Sequence, residues 1–152
     1  MTAVDPMEEV YRRIGPRLWR ALFASSGDPE VASDALAEAF AQAIVRSDGI
    51  RSLEPWLWTA AFKIAAGELS RKNDPSRIPA EPTYEMSPPA DHIVSALRQL
   101  SPKQRAAVVL HDYADRPTEE VAEALGISSA TVHVHLGRAR RRLRRLLEDR
   151  DG

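Results

Sequence analysis

Apolar residues recur along the first part of the chain with the period of an α-helix. In the stretch PMEEVYRRIGPRLWRALFASS they follow at four-residue steps, which places them on one helical face. Pro16 interrupts this stretch and predicts a break or kink near Gly15. The apolar positions are Val10, Ile14, Leu18 and Leu22.

Two further helices are predicted before residue 73. Asp28 followed by Pro29 is typical of a helix start, because Asp caps a helix and Pro favours its first position. The stretch SLEPWLWTAAFKIAAGELSRK predicts a third helix. No strict apolar and polar alternation with hairpin turn signals competes with these helices. The buried stripe of the second helix is predicted at Val31, Ala35 or Leu36, Ala39 or Phe40, and Ala43 or Ile44.

A proline-rich segment divides the chain into two pieces. Five of the eleven prolines fall between Asn73 and Asp91. A helix cannot run through that spacing, so the segment predicts a partly extended linker. We therefore expect an all-α fold of two small helical domains, residues 1–72 and 92–152, joined by a Pro-rich linker at residues 73–91.

The second piece carries the signals of a helix-turn-helix. Ser101, with Pro102 after it and Gln104 at the capping-box position, predicts a helix start. Thr118 is expected to cap the next helix, and Gly126 to end it in a left-handed conformation. Ser128 or Ser129 then caps the last helix, so two helices flank a tight Gly-containing turn, the layout of a helix-turn-helix.

The last predicted helix has an apolar and a basic side. Counted at 100° per residue, Val132, Leu136, Ala139 and Leu143, with Leu146 or Leu147, form one continuous buried stripe. Arg140, Arg142 and Arg144 flank the stripe. The opposite side carries Ala130, Val134, Gly137, Arg138, Arg141 and Arg145.

The charge distribution favours binding of nucleic acid by the second piece of the chain. Residues 1–91 carry 10 Lys and Arg against 14 Asp and Glu, whereas residues 92–152 carry 11 against 8. Ser128 to Leu147 contains six arginines and no acidic residue. Guanidinium groups suit phosphates, although an Arg-rich helix end also complements the helix dipole and can simply be solvated. The helix-turn-helix directly upstream favours contact with nucleic acid.

Composition and spacing argue against several other classes of protein. The 152 residues include no cysteine, and the longest clean apolar run, AAVVL, is far too short to span a bilayer. The acidic, polar start MTAVDPMEEV lacks the pattern of a signal peptide, so we expect a cytoplasmic protein. His133 and His135 lie about 200° apart on a helix and cannot share a metal ion. No catalytic constellation is present, so we expect no enzyme, no cofactor and no metal.

The stretch LSPKQRAAVVLHDYADRPTEEVAEALGISSATVHVHLGRARRRLRRLL resembles the fourth region of bacterial sigma factors, especially the small extracytoplasmic-function branch. The resemblance implies recognition of the upstream promoter element and contact with a flap of RNA polymerase. This half alone also fits the output domains of response regulators. The matching positions are Leu100, Pro102, Gln104, Arg105, Glu120, Ala122, Leu125, Gly126, Ser128, Thr131, Val132, Leu136, Arg138, Ala139 and Arg140.

The first half resembles the second region of the same family. Ala32, Asp34, Glu38 and Phe40 fall on the pattern of its polymerase-binding helix. Trp56, Leu57, Ala61 and Arg71 match the segment that opens DNA and reads the downstream promoter element. The resemblance therefore implies a sigma factor whose partners are RNA polymerase core and promoter DNA, with an anti-sigma protein as a further partner and no membrane.

The resemblance also assigns residues to three surfaces. Asp34 and Glu38, one helical turn apart, would bind polymerase; paired catalytic carboxylates are the less favoured interpretation. Trp56 and Trp58 point to different sides of their helix and would either stack on an exposed base or pack in the core. The region-2 DNA surface would comprise Trp56, Trp58, Lys63, Arg71 and Lys72. The region-4 DNA surface would comprise Ser129, Ala130, Thr131, His133, Val134, His135, Arg138, Arg141, Arg142 and Arg145.

Some positions depart from the family pattern and bear on which promoter is read. His133 and His135 stand where Lys and Arg are usual, and Phe62-Lys63 replaces an Arg-Asn pair. Gly67 replaces a frequent Asp, and Ala37 replaces a common glutamine. Three alternatives remain open: a DNA-binding regulator that acts without polymerase, a sigma-like protein that has lost promoter opening, and an unrelated helical enzyme.

Overall fold

The computed structural model of the chain describes residues 5–72 and 91–151, in which every regular element is helical. The first domain contains α1 (Pro6–Ser26), α2 (Pro29–Val45), a 3-10 turn (Ser47–Gly49) and α3 (Leu53–Lys72). The second contains α4 (Asp91–Leu97), α5 (Pro102–Val108), a π-helical turn (Val109–Tyr113), α6 (Thr118–Leu125) and α7 (Ser129–Asp151). The predicted all-α fold of two helical domains is confirmed. The predicted linker lies outside the described residues except for Asp91, with which α4 begins.

Of the predicted break or kink near Gly15, the break is wrong, because α1 runs without interruption past Pro16. Proline removes one backbone hydrogen bond and leaves the carbonyl four residues earlier without its donor. Pro16 lies on the exposed side of α1, where water can solvate that carbonyl, while Ile14 and Leu18 are buried on the other side.

The first domain is a three-helix unit whose caps follow the sequence signals. Asp28 caps α2 as predicted, since its Oδ1 accepts hydrogen bonds from the backbone N–H groups of Glu30 and Val31. Gly27 takes the left-handed conformation that ends α1, at φ 70°. Both α1 and α3 pack against α2, so its Ala-rich face is fully enclosed.

The second domain contains the predicted helix-turn-helix. Ser101 and Gln104 form the reciprocal capping box, and Gly126 ends α6 at φ 66°. The predicted cap at Thr118 is wrong: Thr118 is the first residue of α6, and Pro117 occupies the capping position without a side-chain hydrogen bond. Ser128 rather than Ser129 caps α7, because its Oγ accepts a hydrogen bond from the backbone of Thr131.

The apolar stripe of α7 is confirmed. Val132, Leu136 and Ala139 are buried against the preceding helices, and Leu143 is half-buried beside them. The burial ends toward the C-terminus, where Leu147 is exposed. This seam fixes which side of α7 faces away from the protein.

The two domains pack directly against each other, mainly through α3 and α6. Arg17 of α1 donates a hydrogen bond to the carbonyl of Tyr113 at 2.7 Å. Arg116 lies 3.6 Å from Glu54 of α3 and also forms a bidentate pair with Glu120. The buried apolar residues of both domains consequently form one continuous core.

The capping box at Ser101 gives a direct stability prediction. Replacing Ser101 with Ala removes the acceptor for the Gln104 N–H, so we expect the free energy of unfolding to fall by about 1 kcal/mol. Ser70→Ala, an exposed change inside α3, should stay within about 0.5 kcal/mol of the parent. Urea denaturation followed by circular dichroism compares the two, and equal midpoints would contradict the capping role.

Candidate nucleic-acid interface

The outer side of α7 is a basic surface opposite the buried seam. Ala130, His133, Val134, Arg138 and Arg141 are exposed and recur at three- or four-residue steps on one helical face. Val134 is 48% exposed. Arg145 continues the same side and is also exposed. The helix-turn-helix therefore presents a continuous ridge of the kind that enters a major groove.

Two of the α7 arginines form hydrogen bonds with other residues of the chain. Arg140 forms a bidentate pair with Asp112, at 2.6 and 3.0 Å, and this hydrogen bonding raises the pKa of Arg140. Arg142 Nε donates to the carbonyl of Gln99 at 3.1 Å. The other arginines between residues 138 and 145 are Arg138, Arg141, Arg144 and Arg145, and none of them pairs with a carboxylate in the described part of the chain.

The remaining predicted residues of α7 divide between the cap and the flank of the helix. The Thr131 hydroxyl lies 2.8 Å from Ser128 Oγ, so it belongs to the capping turn, and Ser129 beside it is half-buried. His133 is exposed, whereas His135 is half-buried with an Nδ1 that has no hydrogen-bond partner in the described part of the chain. The two histidines therefore lie in different environments, and only His133 shares the outer surface.

One face of α3 brings together three of its predicted DNA-binding residues. Trp56 is half-buried, and Lys63 and Arg71 are exposed; at 100° per residue they lie within about 80° of one another around the helix. Gly67 lies between Lys63 and Arg71 on this face, and a Cβ there would meet no atom within 4 Å. The face is consequently open, with an aromatic ring at one end and basic groups along it.

Trp58 lies on the opposite side of α3 and is buried, with 2% of its surface exposed. Its ring packs on Phe62, with ring centroids 6.3 Å apart, and the Arg116 guanidinium of the second domain lies 5.9 Å from its centroid. Trp58 therefore packs in the core, which is one of the two interpretations that the sequence left open.

Lys72 is engaged with the first domain rather than facing solvent. Its Nζ lies 3.0 Å from Asp28 Oδ2 and 3.2 Å from Glu30 Oε2. Burial alone would lower the pKa of Lys72, but hydrogen bonds to both carboxylates raise it above the usual value. The two carboxylates therefore largely compensate the positive charge of Lys72.

A third surface lies on α2 and was only partly predicted from the sequence. Asp34 and Glu38 are exposed one turn apart, and Glu38 accepts a hydrogen bond from Gln42 at 2.9 Å. Val45, two turns beyond Glu38 on the same face, is 85% exposed, and neighbouring Ile44 is 60% exposed. The i, i+4, i+11 spacing of Asp34, Glu38 and Val45 places them on one helical face, so the sequence could have predicted that Val45 belongs to this surface.

The described residues give no sign of a metal centre or a membrane span. No three His, Asp or Glu side chains among them are grouped to hold a metal ion. None of the described helices is both long enough and apolar enough to cross a bilayer.

Comparison with known proteins identifies the family. Residues 91–143 match the family model described as Sigma-70, region 4. The RNA polymerase sigma-E factor of Streptomyces antibioticus is 34% identical over 157 residues, covering 95% of this chain and 86% of the relative. The chain belongs to the extracytoplasmic-function branch of the sigma-70 family.

Other relatives of this sigma factor agree. The extracytoplasmic-function sigma factor SigM of Mycobacterium tuberculosis is 29% identical, covering 92% of this chain and 76% of SigM. The sigma factor RpoE of Bartonella quintana, solved with the anti-sigma factor NepR, has the same fold with a TM-score of 0.78 at 22% identity, covering 95% and 98% of the two chains. CnrH, solved with the cytosolic domain of CnrY, gives 0.68 at 24%, covering 94% and 88%.

Proposed function

We propose that this sigma factor binds RNA polymerase core and directs promoter-specific initiation of transcription. The observation that carries the proposal is the outer side of α7, where exposed basic residues free of carboxylate partners in the described chain stand on a helix-turn-helix. The 34% identity to a sigma-E factor supports the same role. The role is one of binding rather than catalysis, and it places the chain in the cytoplasm.

On α7 the roles follow from position along the helix. Ala130, His133, Val134 and Arg138, near its start, would lie against base edges when the helix enters the major groove. Arg141 and Arg145, one and two turns further, would contact phosphates. His133 in place of a permanently charged residue is expected to change the preferred bases rather than the docking geometry.

The phosphate role of Arg141 predicts a change in salt dependence. Replacing Arg141 with Gln removes one phosphate contact, so binding to all sequences weakens and the slope of log K against log salt falls by about 0.9. Arg142→Gln is the matched control: Arg142 already donates to Gln99, so we expect a smaller change. Fluorescence anisotropy at several salt concentrations measures both slopes. Loss of affinity at a single base pair would instead make Arg141 a base-reading residue.

On α3, Trp56, Lys63 and Arg71 are the residues best placed to bind the melted promoter strand. They share the open face, with Trp56 as the aromatic platform for a base and the two cations beside it for phosphates. Trp58 and Lys72 belonged to the predicted set, but Trp58 is buried and Lys72 pairs with Asp28. The proposal therefore assigns the stacking role to Trp56.

On α2, the exposed face of Asp34, Glu38 and Val45 is proposed to dock on RNA polymerase core. Carboxylates would orient the helix on a basic surface, and the exposed apolar side chains would supply buried area. Val45→Ala should weaken core binding about tenfold, with little effect on the free energy of unfolding because Val45 is 85% exposed. Ile93→Ala, at an exposed position of α4, is the control. Equal core affinity of the two variants in a pull-down titration would contradict this surface.

An anti-sigma partner is also proposed. RpoE, which shares the fold, was solved with the anti-sigma factor NepR, and CnrH was solved with the cytosolic domain of CnrY. Purification of the tagged chain from its own host, followed by identification of co-purifying proteins, tests this partner. Recovery of the polymerase core in the same experiment separates a sigma factor from a regulator that acts without polymerase.

Transcription in vitro tests the central proposal. Purified chain and core polymerase should give transcripts with discrete start sites on host DNA, and core alone should not. Permanganate footprinting of melted thymines distinguishes a competent factor from a sigma-like protein that binds without opening DNA. Binding of core without any defined start would contradict the proposed function.

A further inference from the structure

A groove between the two domains contains a buried arginine that has no partner in the described part of the chain. The groove has a volume of about 200 Å³. The end of α1 and one side of α3 line it from the first domain, and α5 and α6 from the second. Its wall is mainly apolar, with Phe62, Leu69 and Leu125 as its largest apolar side chains.

Arg105 is the unusual group in this wall. Its side chain lies in a residue that is only 8% exposed, and its Nε has no hydrogen-bond partner. Buried charges in proteins are ordinarily paired, because leaving one without a partner is strongly unfavourable. Burial lowers the pKa of Arg105, and nearby Arg98 lowers it further. Arg98 itself donates to the carbonyl of Gly27, so it adds positive charge without compensating Arg105.

We propose that this groove binds a small carboxylate that carries a short apolar tail. The carboxylate accepts a hydrogen bond from the Arg105 guanidinium, and exposed Lys103 at the rim adds a second positive charge. The tail packs between Phe62 of α3 and Leu125 of α6. The cavity is smaller than the roughly 300 Å³ at which drug-sized sites begin, so the ligand has few carbon atoms.

The apolar wall favours a ligand with an apolar part, and the single buried cation favours a ligand with a negative charge. An inorganic anion would gain the charge interaction but leave the apolar wall unused, and a neutral alcohol would leave Arg105 without a counter-charge. A ligand in this position touches both domains and stabilises their packed arrangement. Such a ligand would bind the chain in the absence of DNA, independently of promoter recognition.

Titration of the full chain with hexanoate tests the site. Ligand-observed NMR should show saturable binding of hexanoate at millimolar concentration, and the melting temperature of the chain should rise with hexanoate. Hexan-1-ol has the same tail without the charge, and acetate has the charge without the tail; both should bind at least about tenfold more weakly. Equal binding of hexan-1-ol, or no saturable binding of hexanoate, would overturn the proposal.

Two variants locate the binding. Arg105→Gln should weaken hexanoate binding about tenfold or more, while Arg141→Gln on the outer side of α7 leaves it unchanged. The melting temperature of the unliganded variant is measured beside that of the parent, so that loss of binding is distinguished from loss of folding. Ala66→Trp, at an exposed position on the groove wall, blocks the groove while leaving Arg105 unchanged and is compared with Ala37→Trp at an exposed position of α2. Retained hexanoate affinity in either groove variant rejects the site.

Discussion

Replacing Leu136 with Ala should lower the free energy of unfolding by about 2–5 kcal/mol. Leu136 is 2% exposed and lies between Val132 and Ala139 in the seam that holds α7 against α5 and α6. The truncation leaves a cavity at the point where α7 joins its domain, and the surrounding helices can close it only in part. For a protein whose total stability is of the order of 5–15 kcal/mol, this is a large fraction.

Leu147→Ala supplies the matched control. It is the same chemical change on the same helix, but Leu147 is 39% exposed and lies beyond the seam, so we expect a change within about 0.5 kcal/mol. Urea denaturation followed by circular dichroism gives both values. DNA binding measured below the melting temperature of each variant should survive in both, but on warming it should be lost at a lower temperature in Leu136→Ala than in Leu147→Ala. Similar unfolding midpoints for the two variants would contradict the seam.

Local signals were sufficient to predict the helix-turn-helix. The capping box of Ser101 and Gln104, the left-handed Gly126 and the apolar period of α7 each depend on residues a few positions apart, and each is present in the structure. Pro16 shows the limit of local reasoning. Whether a proline breaks a helix depends on whether the freed carbonyl can reach water, and that is decided by how α1 packs on α2 and α3.

Contacts between distant residues could not be predicted in this way. The helical period placed Arg140 beside the buried stripe, but it could not show that Asp112, 28 residues away, binds it. The pairing of Lys72 with Asp28 spans 44 residues. The spacing of Trp56 and Trp58 showed that they face different sides of α3, but not which side would be enclosed. Packing of α6 against α3 makes that choice, because it covers Trp58.

The two tryptophans of α3 should therefore behave differently when each is replaced by Ala. Trp58→Ala removes a ring that is 2% exposed, with Phe62 and Arg116 packed on it, and should lower the free energy of unfolding by about 3–5 kcal/mol. Trp56→Ala removes a half-buried ring on the open face and should cost clearly less stability.

Among molecules that remain folded, promoter opening should fall more in Trp56→Ala than in Trp58→Ala. Stacking of one base on an aromatic side chain contributes about 1–3 kcal/mol, so Trp56→Ala should reduce opening by roughly five- to 150-fold while the chain remains folded. Thermal melting and permanganate reactivity of promoter thymines, measured on both variants at a temperature where both are folded, separate the two roles. If Trp58→Ala keeps the parent melting temperature but loses opening, Trp58 is the stacking residue. The packing of α6 and Arg116 against it would then have to be released before the promoter melts.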